Sequence, residues 1–509
     1  MVLYEERDTV IRGVSWQFYS SLVSIAVGGL FYIFIIHFYN STEIVGVFSL
    51  LSAIAYLFST VFALGLAIGI QHFVSYHIGR GEESVIMVLV RKLLLLGLLM
   101  SSASFLSLWV LSPALSLLFF HTFSYLNYVK LLDVELFAMV FNSFLTPILL
   151  GLQNFRRSAV IGILNWAVGY GLIIPFLLTG HDPIRIIYAW IIGYYITTAL
   201  LYISVHSKLR RVRATESGDA PLRPVIAYSV PIFVSGLIGY GATYVDRFTV
   251  SFFINLSELG IYNFALLVIS ALGILTTPIA VILLSRLSEF YSRKDTKNFR
   301  LYMEKSLEVL SAVYMPVALL AAALAPSVLL FLANPSYLPG YTPIMIILVA
   351  SAITVTGTIY GTSLQAIRKT RIFVISSSLA LTSNLVLSVI LIPRFGIDGA
   401  AVGYASTSVV GFAVVLYYSI KHGTFTFDKV KMSKIFLSSF LMFILMIFVQ
   451  ERLGYSILKL AVYIVTGLAV YLFLIRVTGT FSEEDINIFL GMIPSRMDRL
   501  KRFFRSLFV

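Results

Sequence analysis

Long uninterrupted apolar runs dominate this chain, in place of strand-like alternation or one-sided helical stripes. A membrane-crossing helix needs roughly 20 predominantly apolar residues to cover about 30 Å of hydrocarbon. Fourteen such runs stand between clusters of Lys, Arg, Pro or Asn. The first two lie near residues 13–38 and 44–76, and the last two near 433–450 and 455–476. Between them the seventh, eighth and ninth lie near 225–253, 259–288 and 303–332, and the eleventh and twelfth near 372–392 and 397–420. The second, eighth and ninth are long enough to continue past the membrane as unbroken helices. The longest loop on the expected outer side runs from Ser112 to Tyr128.

Composition agrees with a chain dissolved in lipid. Hydrophobic residues make up 59% and charged residues only 12%, too few charges to coat a water-facing surface. Charge placement then fixes topology, because short cytoplasmic loops retain Lys and Arg. With the N-terminus inside, all but six of the 37 Lys and Arg fall on the cytoplasmic side. The exceptions are Lys130, Arg185, Arg394, Arg452 and Lys459 outside and Arg247 within a span. Both termini are therefore expected in the cytoplasm. The net charge of +13 would suggest nucleic acid in a soluble protein, but here topology and anionic headgroups of membrane lipids account for it. No cysteine is present, so disulfides and thiolate metal sites are excluded. The opening MVLYEERDTVIRG carries acidic residues and reads as the start of a retained first helix, not a cleaved signal.

An internal repeat divides the chain. The turn Asn40-Ser41-Thr42-Glu43-Ile44-Val45-Gly46 after the first span returns as Asn255-Leu256-Ser257-Glu258-Leu259-Gly260 after the seventh, about 215 residues later. Each reads as an Asn cap with a Glu three positions on, a better reading than a glycosylation acceptor. Leu152-Gln153-Asn154-Phe155-Arg156-Arg157 is echoed by Leu364-Gln365-Ala366-Ile367-Arg368-Lys369 at an offset of about 212. Six spans per repeat is an even number, so the copies share one orientation and an axis along the membrane normal. The expected fold is an all-α integral membrane protein of about fourteen transmembrane helices. Residues 1–215 form one six-helix lobe and 216–424 the second, with the basic linker Lys208–Arg223 at their junction. Residues 425–480 add two C-terminal spans. The tail 481–509 alternates Met497, Leu500, Phe503, Phe504 and Leu507 with basic residues, as a helix lying on the inner leaflet would.

Enzymatic signatures are scarce. There is no Walker loop, no paired His at metal spacing and no Gly-x-Ser-x-Gly elbow, so no catalytic residue and no metal ligand is assigned. Short outer loops argue against a membrane glycan polymerase or glycosyltransferase. Transport without a nucleotide site must draw on an ion gradient, the membrane potential or the substrate gradient. Asp246 and Arg247 lie within the seventh span, about two turns from its outer end. Ionisable groups at such depth are costly and usually functional. Arg247 would meet an anionic substrate or Asp246 a coupling cation; the alternative is an interhelical ion pair or a snorkelling Arg. Glu304 and Glu308 read as a solvated face at the start of the ninth span. The pairs Gly65/Gly69, Gly236/Gly239 and Gly399/Gly403 read as close-packing or hinge positions.

Three stretches are similar to one known family. Glu258-Leu259-Gly260-Ile261-Tyr262-Asn263 looks like that family's turn into its eighth helix, and Leu283-Leu284-Ser285-Arg286-Leu287-Ser288 like that helix's cytoplasmic end. Leu391-Ile392-Pro393-Arg394-Phe395-Gly396-Ile397-Asp398-Gly399-Ala400-Ala401 resembles its outer turn between helices eleven and twelve. The family is that of the polysaccharide flippases, in the multidrug, oligosaccharidyl-lipid and polysaccharide exporter superfamily. The resemblance implies alternating access by two lobes that move a polyprenyl-(pyro)phosphate-linked oligosaccharide to the outer leaflet of the plasma membrane. It places Arg12 and Gln17 on the first span, His72 on the second and Arg286 on the eighth toward the cytoplasmic ends of cavity-lining helices, where they would first meet the phosphate. Positive-inside placement explains Arg12 and Arg286 equally well, and His72 also fits a neutral helix-packing role. The resemblance further implies a coupling cation, Na+ or H+, near Asp246, Asn384 and Thr407. A cation-coupled multidrug exporter and a scaffold for glycan-assembly enzymes are the remaining readings, and a monomer is the expected state.

Overall fold

The computed structural model describes residues 23–24, 26–209 and 221–481. Arg12, Gln17, most of the basic linker and the amphipathic tail lie outside the described residues. No strand forms among the described residues. Hydrocarbon offers no water to backbone amides, so each apolar segment closes its hydrogen bonds on itself as a helix. The order begins α1 (Ala26–Tyr39), α2 (Thr42–Phe62), α3 (Leu66–Gly79), α4 (Glu83–Phe120), α5 (Leu126–Gly151), α6 (Phe155–Gly171), α7 (Ile173–Leu178), α8 (Ile184–Leu209) and α9 (Arg223–Phe253). It continues with α10 (Leu256–Ala271), α11 (Gly273–Ser292), α12 (Thr296–Ala323) and α13 (Ala325–Leu332). After a 3-10 turn over Pro335–Gly340 come α14 (Tyr341–Thr354), α15 (Gly357–Ala366), α16 (Arg371–Lys421), α17 (Lys429–Leu453) and α18 (Ile457–Val477).

Among the described residues, twelve stretches are long and apolar enough to cross a membrane. Two features bring the count to the expected fourteen. α1 is the described part of the first span, and α16 contains two spans. As a single rod its 51 residues would reach about 77 Å, far beyond about 30 Å of hydrocarbon. Gly396 breaks it with φ 58° and ψ −137°, and the two arms fold back on each other. A Cβ at Gly399 would strike the Leu391 carbonyl, one at Gly403 would strike Ser388, and Ser383 and Ser406 share a 3.0 Å hydrogen bond. Gly399 and Gly403 are therefore packing positions, as their spacing implied. Gly236 and Gly239 are not: a Cβ at either meets open space.

The three long runs are not unbroken. The second divides at Leu64 and Gly65, both left-handed, where Gly65 lies against the Phe233 backbone. The eighth divides at Leu272 and the ninth at Leu324, with Pro326 opening α13. Conversely, the expected loop from Ser112 is mostly helix, because α4 continues to Phe120.

The repeat is visible in the turns. Asn255 caps α10, its Oδ1 accepting from the Glu258 amide at 2.9 Å. In the first copy the cap moves one residue to Ser41, while Asn40 takes a left-handed backbone that Asn tolerates. α5 ends on left-handed Gln153 and α15 on left-handed Arg368, each with the same pair of closing bonds. These positions are 215 apart, so the turns match three residues away from the register of the basic echo. The start of α2 meets the start of α10 reciprocally: Gly46 lies on the Leu256 carbonyl, Gly260 on the Thr42 carbonyl, and Thr42 Oγ1 is 2.9 Å from Ser257 Oγ.

By packing, the chain forms two compact units, Met1–Gly260 and Ile261–Val509. The packing boundary falls one helix beyond the repeat boundary, because α9 packs on α2, α3 and α4. Within the units α5 and α12 are the central helices, with 67% and 72% of their apolar windows buried, against 11% for α9.

Candidate functional site

α9 carries the two ionisable groups expected at depth. Asp246 is fully buried, and Arg247, one residue on, points to a different side of the helix. The Arg247 guanidinium lies 4.4 Å from the centre of the Tyr244 ring and donates to the Thr243 carbonyl at 3.0 Å. Tyr244 stacks on Tyr240 at 4.7 Å and on Tyr56 of α2 at 6.1 Å. The Tyr240 hydroxyl in turn donates to the Ala53 carbonyl at 2.5 Å. A cation thus sits at the end of a lane of tyrosines, with the Tyr244 ring face stabilising its positive charge.

The remaining expected residues are dispersed. His72 is exposed on α3, its ring stacked 5.1 Å from Tyr228 of α9, and so joins two helices by aromatic contact. Arg286 is exposed on α11 and pairs with Glu289 at 3.2 Å. Asn384 and Thr407 stand at the same level on the two arms of α16. Asn384 is buried and accepts from Ser388 at 2.9 Å, and the Thr407 hydroxyl donates to the Tyr404 carbonyl. Asp398 is the single acidic residue on these arms. Asp246 belongs to the first packing unit, and Asn384 and Thr407 to the second.

Each unit also contains a cavity. In the first, α2, α5, α6 and α8 enclose ≈50 Å³ around Glu135, walled by tyrosines and tryptophans. In the second, Thr276, Tyr314, Ser351, Thr358, Ser376 and Thr407 surround ≈320 Å³ lined by hydroxyls, with no charged group among the described residues of its wall. A neutral hydroxyl wall suits uncharged hydrogen-bonding groups.

Two buried glutamates escaped the sequence reading. Glu308 is 2% exposed, not solvated: its Oε2 lies 3.1 Å from Lys305 Nζ and 3.4 Å from Lys431 Nζ, beside Glu304 and Asp428. Two α17-side contacts bury it, and these were invisible in a count of charges along α12. Glu135 is 5% exposed and lies nine residues into α5. Its position inside an apolar run was the available signal.

This architecture defines a polytopic helical membrane protein of the kind found in flippases and drug exporters. Superposition on the lipid II flippase MurJ in its inward closed conformation covers 92% of this chain and 98% of that one, with TM-score 0.71 at 16% identity. An inward-facing multidrug resistance MATE transporter of the MOP superfamily gives TM-score 0.62 at 16% identity, over 80% of this chain and 95% of that one. At these identities the likeness is one of fold. Residues 51–339, more than half of the chain, match the family of polysaccharide biosynthesis proteins, and the chain belongs to that family. A Haloferax volcanii protein named "Probable low-salt glycan biosynthesis flippase Agl15" is 20% identical over 336 residues, 66% of this chain and 70% of that one.

Proposed function

We propose that this protein moves a polyprenyl-(pyro)phosphate-linked oligosaccharide from the cytoplasmic to the outer leaflet of the plasma membrane by alternating access, for cell-surface polysaccharide or glycoprotein synthesis. The observation that carries this reading is Arg247. Its Cα lies about 9 Å inside the end of α9, where a cation is costly unless a substrate path needs it. A lipid-linked saccharide has a tail that remains in the bilayer and an anionic phosphate that cannot cross unaided. Arg247 answers the phosphate, and the hydroxyl-lined cavity of the second unit answers the glycan. Membership of the polysaccharide biosynthesis family and the flippase named in Haloferax volcanii support the same substrate class.

In this reading the repeat lobes 1–215 and 216–424 rock against each other, both termini stay in the cytoplasm, and one chain is a complete unit. Arg12, Gln17, His72 and Arg286 receive the phosphate from the cytoplasmic side, where glycan-assembly enzymes deliver the substrate. The protein performs no covalent chemistry, and a Na+ or H+ gradient drives the cycle.

The test is translocation of lipid-linked oligosaccharide in proteoliposomes, with wild type and Arg247→Ala compared at equal folded protein. A charge-assisted contact is worth about 1.5–3 kcal/mol, so Arg247→Ala slows flipping about tenfold or more. Unchanged flipping in Arg247→Ala makes the residue structural. A wild type that flips nothing and exports organic cations replaces this reading with the drug exporter.

A further inference from the structure

We infer that the first unit holds a binding site for a small monovalent cation, Na+ or the proton, at the Glu135 carboxylate. This rests on the transport reading only for what the cation drives, not for its binding.

Glu135 lines the ≈50 Å³ cavity, and its Oε2 is buried with no hydrogen-bond partner. A carboxylate so placed carries a charge that nothing in its surroundings balances, and it must take up a positive one. α2, α3, α4, α6 and α8 pack against α5. α2 supplies Ser52 and Tyr56, α6 supplies Asn165 and Tyr170, and α8 supplies Tyr194; α3 and α4 contribute nothing to the wall. Among the described residues no Lys, Arg or His lines the cavity. Asp133 is buried two residues away on α5, a spacing that turns it to another face of the helix.

The wall is built for oxygen ligation at one small point. Ser52, Asn165 and three tyrosines, all carrying neutral oxygens, line the cavity together with a single carboxylate, and oxygen is the hard donor that suits alkali cations. Asn165 is oriented by Thr197, whose hydroxyl donates to its Oδ1 at 2.9 Å. α6 and α8 approach closely enough to bring these groups together because Gly193 lies against the Gly169 backbone, where a Cβ would collide at 2.7 Å. A water needs about 10–15 Å³ of such volume. The cavity therefore accepts an ion or a proton with a few waters and excludes a sugar ring.

Position gives the site its consequence. Tyr56 belongs to the cavity wall and also stacks on Tyr244, the ring beneath Arg247. Tyr56 on α2 and Tyr244 on α9 thus form a continuous ring contact between the Glu135 cavity and the guanidinium assigned to the substrate phosphate, the physical path by which a cation at Glu135 would bias the substrate site.

Trp166 and Trp190 stand in the cavity wall, which makes tryptophan emission the direct readout. The full chain, carrying Trp16→Phe and Trp109→Phe to silence the two other tryptophans, is titrated with NaCl against choline chloride at constant ionic strength. A second titration runs from pH 5 to 8 without Na+. Wild type gives a saturable emission change in at least one titration, Glu135→Asp shifts its midpoint several-fold, and Glu135→Gln abolishes it. In proteoliposomes Glu135→Gln also loses the dependence of flipping on the corresponding gradient. Emission insensitive to both Na+ and pH overturns the site, and so does a Glu135→Gln that titrates like wild type. If Glu135→Gln does not fold, a wild-type response weakened several-fold by Asn165→Ala sustains the site, and one unaffected by that change overturns it. A protein that titrates but flips no lipid-linked glycan keeps the cation site and loses the substrate reading; one that flips without any emission change does the reverse.

Discussion

Glu135 in the first unit and Glu308 in the second are both almost wholly buried, yet their surroundings are opposites. Glu308 lies between Lys305 and Lys431, so its charge is balanced from within the protein. Glu135 sits in a cavity of neutral oxygens and aromatic rings with no resident cation among the described wall residues. Burial alone therefore does not tell a structural carboxylate from one poised to bind; the charge balance of its immediate neighbours does. The repeat sharpens the contrast, because α14, the segment of the second copy corresponding to α5, carries no acidic residue at all.

The comparison can be broken most forcefully at Glu308. Glu308→Gln breaks the contacts of its buried carboxylate with Lys305 and Lys431 and leaves Glu304 and Asp428 as the nearby carboxylates, and breaking a buried ion pair costs about 3 kcal/mol. The thermal midpoint in detergent falls by many degrees, and an unchanged midpoint would mean that the two lysines find other partners at no cost. Gly46→Ala comes next: its methyl runs into the Leu256 carbonyl, and overpacking of this kind costs about 1–3 kcal/mol. Gly260→Ala should match it, since its methyl meets the Thr42 carbonyl in the same way. Unequal midpoints for the two would show that the reciprocal contact is not shared evenly. Gly236→Ala has the opposite sign. It enters open space within a helix and raises the midpoint, by a stabilisation of up to about 1 kcal/mol. Smallest is Glu135→Gln, which removes a charge that has no protein partner and leaves the midpoint at or slightly above that of wild type. A large loss there would assign Glu135 the structural role of Glu308 and erase the contrast between the units.

Much of the architecture was legible because lipid imposes a simple grammar. Apolar length gave the spans and Lys/Arg placement separated them, and the α2/α10 and α5/α15 turns confirm that the chain is doubled. What sequence could not supply was the path of the backbone inside a run. Leu64 at positive φ, the break at Leu272 and the continuation of α4 through Pro113 to Phe120 are set by packing, not by hydropathy. The site was legible in part. Arg247 announced itself as a lone cation in a span, but its tyrosines lie on two helices and only folding brings them together. Glu308 misled because charges four apart at a helix start resemble a wet surface until α17 covers them. Asn384 and Thr407 lie on opposite arms of the α16 hairpin, the Asn384 Oδ1 accepting from Ser388 and the Thr407 hydroxyl donating to the Tyr404 carbonyl.

The reciprocal contact of Gly46 with Leu256 and Gly260 with Thr42 has the form of an isologous dimer interface, each half presenting the same patch to the other. In a pair of identical separate chains, any substitution there would strike twice, and every pocket would exist in two equal copies. Fusing the halves into one polypeptide removes that obligation. The cap has moved from Asn to Ser on one side only, and one half keeps a carboxylate-lined chamber while the other has a larger neutral one. Covalent duplication frees the two halves to divide their labour, which two identical subunits cannot do.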